Sequence, residues 1–197
     1  MKLDIILSGV GGQGILSIAA IIGEAALTEG LHIKQAEVHG MSQRGGDVQS
    51  NLRISSSEIY SDLIAKGNAD AIISLEPMEA LRYLPYLSQN GWIVANTAPY
   101  INITNYPDME TIIKELSSLP NVILLDVDAL AKEAGAARAS NVVLLGAASV
   151  ILGMDHTKLE NAIEQIFSRK GEKIVDMNIK AFRIGRTAGE NQIKPMV

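Results

Sequence analysis

The chain has 197 residues, 47% apolar and 20% charged, the balance of a globular protein with a full core. Aromatic residues reach only 4%, so that core is aliphatic, as suits a buried parallel sheet rich in Val, Ile and Leu. A net charge of −5 argues against general attraction to nucleic acid or anionic membrane, and the lack of any Cys excludes disulfides, thiolate zinc and cysteine-ligated iron–sulfur clusters held by this chain.

In chain order, Leu3–Ser8 is a short apolar strand that breaks into glycines, and a helical pattern from about Gln13 to Glu29 follows, with Gly30 as its stop. His32–Val38 reads as a second strand, which makes a β-loop-α-β unit with an expected right-handed crossover. His39–Asp47 lacks apolar periodicity and reads as a loop. Val48, Ser50, Leu52 and Ile54 then alternate with polar residues at period two, a strand with one wet face. Ser55-Ser56-Ser57 predicts a turn and Glu58–Ser61 a hairpin partner, a β insertion after the second strand.

Asp70–Leu75 is a further buried strand, and Pro77 opens a helix running to about Leu87. Gly91–Ala95 reads as a strand, followed by an irregular stretch holding Asn96, Pro99, Asn102, Asn105 and Pro107. Met109–Leu119 is helical and Val122–Val127 extended, with Asp128 as the expected cap of a helix ending at Gly135. The remainder is helical: a buried helix at Asn141–Leu152, a capping box at Thr157-x-x-Glu160, and a last helix at Ile174–Ile184. The pattern predicts a Rossmann-like α/β domain of three layers, with a mostly parallel sheet and a helical C-terminal part. The start at Met1-Lys2-Leu3-Asp4 leaves no room for a signal peptide, and the apolar stretch Ala139–Met154 is shorter than the roughly 20 residues of a membrane span. A cytoplasmic protein is expected.

Gly9-Val10-Gly11-Gly12-Gln13-Gly14 matches G-x-G-x-x-G between a strand and a helix. Backbone N–H groups at such a helix start favour a phosphate or carboxylate. Two other readings stand beside this one: a tight turn with close helix–sheet packing, and an NAD(P) site of an oxidoreductase. The acidic residue that a dinucleotide site expects is matched by Glu37, but His39 and the Arg44-Gly45-Gly46 run that follow are unusual for one. His39-Gly40-Met41-Ser42-Gln43-Arg44-Gly45-Gly46 is the most distinctive segment. It gathers an imidazole, a hydroxyl, an amide and a guanidinium at a strand's carboxyl end, where open α/β sheets bind ligands. Arg44 offers a fork of donors to phosphate or carboxylate; alternatively it pairs with Asp47 or Glu37. His32, His39 and His156 lack metal-ligand spacing, so no metal site is expected.

The two loops together resemble the gamma-type subunit or domain of 2-oxoacid:ferredoxin oxidoreductases, with the His-Gly-Met-Ser-Gln-Arg-Gly-Gly wording most like the indolepyruvate type. The resemblance continues through Asn51–Ser55, Asn141–Gly146 and Asn178–Gly185, and so spans nearly the whole chain as one catalytic domain, residues 1–197, of the pyruvate/ketoisovalerate oxidoreductase gamma type. Asn51 departs from the His of many indolepyruvate members.

The resemblance implies an accessory catalytic subunit in an enzyme that oxidatively decarboxylates a 2-oxo acid, transfers the acyl group to coenzyme A and reduces ferredoxin. It implies thiamine diphosphate and iron–sulfur clusters on a larger alpha-type partner; this chain has neither Cys nor a Gly-Asp-Gly with a distant Asn-Asn. It implies a substrate- or coenzyme A-binding role for His39, Ser42, Gln43, Arg44, Gly45 and Gly46, and an anion-binding role for Gly9, Gly11, Gly12, Gln13 and Gly14. No residue of this chain is assigned a catalytic step. A non-catalytic docking partner is the remaining alternative.

Overall fold

The computed structural model describes residues 1–39 and 45–193. Six strands form one sheet in the order β2-β3-β1-β4-β5-β6. They are β1 (Lys2–Val10), β2 (His32–His39), β3 (Asp47–Ser55), β4 (Ala69–Ser74), β5 (Leu87–Asn96) and β6 (Val122–Leu125). β1, β4, β5 and β6 run parallel in neighbouring pairs, while β3 is antiparallel to both β1 and β2. The sheet is therefore mostly parallel, as expected, but its first unit differs from the prediction. β2 does not lie beside β1; β3 is inserted between them, so the βαβ unit spans two strand spacings, about 9.5 Å.

Seven helices complete the described chain: α1 (Ile15–Thr28), α2 (Pro77–Arg82), α3 (Met109–Ser117), α4 (Val127–Glu133), α5 (Ser140–Ala148), α6 (His156–Phe167) and α7 (Glu172–Glu190). Strand pleating divides the core between two faces. Ile5, Leu7, Ala71, Ile73 and Val94 pack into the cluster under α1, α4, α5, α6 and α7. Ile6, Ile72, Ile93 and Ala95 pack with Ala80, Ile112 and Leu116 of α2 and α3. Three layers result. α5 is buried through Val142–Ala148 because it lies between the sheet and α7. A Cβ at Gly146 would overlap the Phe182 carbonyl, and one at Gly185 would overlap that of Val143, so these two glycines let α5 and α7 meet backbone to backbone.

Four local expectations are corrected. Glu58–Ser61 forms no strand: Arg53 Nη1 donates to the Ser61 and Leu63 carbonyls at 3.0 and 3.2 Å, and Asn51 Oδ1 accepts the Ile64 N–H at 3.1 Å. Side chains thus supply partners that a ladder would have supplied. Asp126, not Asp128, caps α4, accepting the Ala129 N–H at 2.8 Å, while Asp128 accepts from Ser140 and Asn96. Asp155, not Thr157, caps α6, and the proposed box partner Glu160 pairs instead with Arg183. The helix from Pro77 is also shorter than expected, ending at Arg82 before a 3-10 turn at Leu84–Tyr86 and an early start of β5.

Candidate functional site

The loop between β1 and α1 sits at the carboxyl end of the parallel strands, where connections leave β1 toward β2 on one side and β4 continues the sheet on the other. Such a switch point leaves a crevice. Gly14 is the N-cap of α1 with φ 90°, a left-handed conformation open to glycine, and its Cβ position is occupied by the Asn141 amide. Asn141 Nδ2 also donates to the Gly14 carbonyl at 3.1 Å.

Gln13 is placed inward, not toward a ligand. Its Oε1 accepts the Val10 N–H at 2.7 Å and its Nε2 donates to the Leu75 carbonyl at 3.1 Å, which locks the loop to the end of β4. The Gly11 N–H is likewise taken, donating to the Gly46 carbonyl at 2.9 Å. Among the described residues no acceptor takes the N–H groups of Gly12 and Gly14. Helix α1, like α5, has no side-chain cap and no acidic residue in its first turn, whereas Glu76, Asp108, Asp126 and Asp155 cap α2, α3, α4 and α6. Such a 14-residue helix start has donors that no described acceptor takes and a positive dipole end, electrostatics that favour an anion.

The second loop arrives at the same place. β3 pairs with β1 through Gly9↔Val48 and Val10↔Asp47, so Gly45 and Gly46, just before β3, lie beside the glycine loop. Across the junction Gly11 donates to the Gly46 carbonyl, and its own carbonyl accepts the Gly45 N–H at 3.5 Å. Between the loops lies a cleft of about 390 Å³ lined by Val10, Gly11, Gly12, Gly14, Glu37, His39 and Val48 among others. Of the expected ligand residues, Gly11, Gly12, Gly14 and His39 meet here, and Gly45 and Gly46 form its hinge with the first loop. Ser42, Gln43 and Arg44 lie outside the described residues.

Residues that periodicity did not single out gather around Glu76 and Asp47. Glu76, fully buried at the end of β4, accepts the Glu79 N–H at 3.0 Å, the Tyr100 N–H at 3.3 Å and the Tyr106 hydroxyl. Burial and the neighbouring Glu76 carboxylate push the Tyr106 phenol well above its ordinary range. Tyr83 is raised in the same way, by burial and by Asp47, whose carboxylate accepts its hydroxyl at 3.4 Å. Burial raises Glu79 despite its contact with Arg82 at 2.7 Å. The Glu immediately before Pro77 was the signal available in the sequence, since an acidic residue before a proline-started helix is a capping pattern.

Fold and site together define an α/β protein with a crevice beside the glycine loop, closed on one side by Gly45 and Gly46. Comparison with known proteins gives the family. Residues 4–188 match the pyruvate ferredoxin/flavodoxin oxidoreductase family, and the chain belongs to it. It is 40% identical over 196 residues to an indolepyruvate oxidoreductase subunit IorB of Archaeoglobus fulgidus, covering 94% of both chains. A gamma subunit of a keto/oxoacid ferredoxin oxidoreductase from Geobacter sulfurreducens superposes with a TM-score of 0.70 at 26% identity, over 96% of this chain and 99% of that one. The 2-oxoglutarate:ferredoxin oxidoreductase of Magnetococcus marinus shares the fold, with a TM-score of 0.77 at 22% identity. There this chain's 98% matches only 32% of a longer polypeptide. Among the described residues no three His, Asp or Glu side chains form a metal-binding group, and no helix is long and apolar enough to cross a membrane.

Proposed function

We propose that residues 1–197 form one gamma-type catalytic domain, the accessory subunit of an indolepyruvate-type 2-oxoacid:ferredoxin oxidoreductase. The observation that carries this reading is the Gly11–Gly46 junction, which fuses the two family-like loops into one cleft with open N–H donors. The overall reaction consumes a 2-oxo acid, coenzyme A and two oxidised ferredoxins; it yields acyl-CoA, carbon dioxide, two reduced ferredoxins and a proton. Thiamine diphosphate and the iron–sulfur clusters belong to a larger alpha-type partner, for this chain has no Cys to hold a cluster.

This chain's part is recognition of an anionic group at the edge of the partner's active site. Gly12 and Gly14 donate backbone N–H groups, and the α1 dipole favours negative charge. Arg44 adds a guanidinium fork, with Ser42 and Gln43 adding hydrogen bonds and His39 orienting the loop. A phosphate of coenzyme A or the oxo acid's carboxylate fits this donor set. The insertion of β3 departs from a conventional dinucleotide fold, where the acidic residue stands on the strand next to the glycine loop's own, although Glu37 still lines the cleft.

The test is the heteromer reconstituted with Arg44→Ala. Loss of a charged hydrogen bond, about 1.5–3 kcal/mol, predicts an increase of roughly tenfold or more in KM for coenzyme A or the oxo acid. Unchanged KM for both, with normal turnover, would overturn the role. Tight NADH binding by the isolated chain would instead favour a nicotinamide enzyme.

A further inference from the structure

A segment after β5, the strap, reaches the junction of the two loops through Asn102. It is pinned at three points. Asn96 holds its start, with Oδ1 accepting the Ala98 N–H at 3.2 Å and Nδ2 donating to the Leu75 carbonyl at 3.3 Å. Glu76 holds its middle and end through the Tyr100 N–H and the Tyr106 hydroxyl. Asn102, between those two tyrosines, donates from Nδ2 to the Gly45 carbonyl, one residue before the Gly46 carbonyl that accepts from Gly11.

These contacts make a chain of connections from a buried carboxylate to the loop junction. Glu76 has no solvent exposure and no Lys or Arg among its hydrogen-bond or ion-pair partners among the described residues. A carboxylate taken out of water and met only by N–H and O–H donors is costly to hold unless all its donors stay in place. Its geometry therefore ties the strap to the start of α2, since release of either tyrosine contact removes one of the donors that meet this buried carboxyl group. Plain α2 capping would need only the Glu79 N–H on one oxygen. The other oxygen, Oε1, is given wholly to the strap.

We infer that Glu76 is a positioning residue for the cleft, acting through Tyr106, Tyr100 and Asn102 to hold the Gly45–Gly46 end of the hairpin against the glycine loop. The assignment rests on the anion-binding reading above for its consequence in catalysis, but not for the positioning itself.

Two measurements separate these. Amide hydrogen exchange at Gly11 in the assembled heteromer reads the junction directly. Tyr106→Phe removes one hydrogen bond to a charged acceptor while keeping the ring, and Asn102→Ala removes the clasp; each should speed Gly11 exchange about tenfold. Exchange at Asp4, at the opposite end of β1, should not change, which a general loss of stability would not allow. Steady-state kinetics of the same variants should show a several-fold higher KM for coenzyme A or the oxo acid with kcat little altered, and Tyr106→Trp, which keeps an N–H donor, should restore part of it. Unchanged Gly11 exchange in both variants overturns the positioning role. Faster exchange with unchanged KM leaves the positioning intact and overturns the anion-binding function of the cleft.

Discussion

The two ends of β1 are built on opposite principles. At its amino end, buried Asp4 takes Arg53 Nε at 2.8 Å and Lys2 Nζ at 2.9 Å, and its own N–H donates to Asp70 at 2.8 Å. Charge there meets charge, and the Arg53 guanidinium goes on to satisfy two carbonyls of the following loop. At the carboxyl end, Gly12 and Gly14 keep N–H groups that no described acceptor takes, and buried Glu76 has no cationic partner among the described residues. One end spends its polar groups on holding the sheet together. The other leaves donors open around a cleft and uses a buried carboxylate to arrange them. The difference teaches where to look for function in this fold: at the end where satisfaction is incomplete.

The comparison can be broken most forcefully at the amino end. Arg53→Met leaves Asp4 buried with only Lys2 as an ionic partner, and strands the Ser61 and Leu63 carbonyls. Truncating one side of a buried ion pair costs about 3–5 kcal/mol; the remaining Lys2 contact reduces this to roughly 2 kcal/mol. Urea unfolding should show that loss, while KM values of the reconstituted enzyme stay at wild-type level. A change in KM without a loss of stability would erase the distinction between the two ends.

A smaller effect sharpens it through pH. Burial raises Asp4, but Arg53 and Lys2 outweigh it and hold the carboxyl below its ordinary 3.8. Its folded value being depressed, its contribution is complete above the unfolded value, about 3.9, and is lost as pH falls through the folded one. Glu79, beside the strap's anchor, is shifted the other way, since burial raises it above 4.5 against the pull of Arg82. Its contribution grows as pH falls through that raised value. Urea midpoints between pH 6 and 3, two round limits spanning about 3.9 and 4.3, should therefore fall less steeply in Asp4→Asn than in wild type, and more steeply in Glu79→Gln. Equal slopes in both variants would show that neither shift is coupled to folding.

Much of this was legible in the chain itself. The strand–glycine–helix start, the period-two strand at Val48–Ile54 and the paired loops pointed to the fold and to the place of the cleft. What local pattern did not carry was pairing. Alternation at Val48–Ile54 shows a strand with a wet face, but not that it slots between β1 and β2; that choice is made by the β1 partner register, from Lys2↔Ser55 to Val10↔Asp47. The caps failed for a related reason. Asp126 and Asp128, or Asp155 and Thr157, are equally good caps by type, and only the distant claims of Ser140 on Asp128 and Arg183 on Glu160 decide between them. Asn51 shows the same dependence. It stood out as a departure from the family pattern, and it is buried and accepts the Ile64 N–H. Gln13 and Gly11, read as ligand groups, are used up in holding the loops.

The claim that the two glycine loops form one anion-binding cleft is tested most directly by a hydrogen-exchange footprint of coenzyme A, and separately of the oxo acid, on the assembled heteromer. The account predicts that at least one of them slows exchange at Gly12, Gly14 and the first turn of α1, and leaves Asp4 and Arg53 unchanged. Protection by neither ligand at Gly12 and Gly14, under conditions where the enzyme is saturated and turning over, would contradict it.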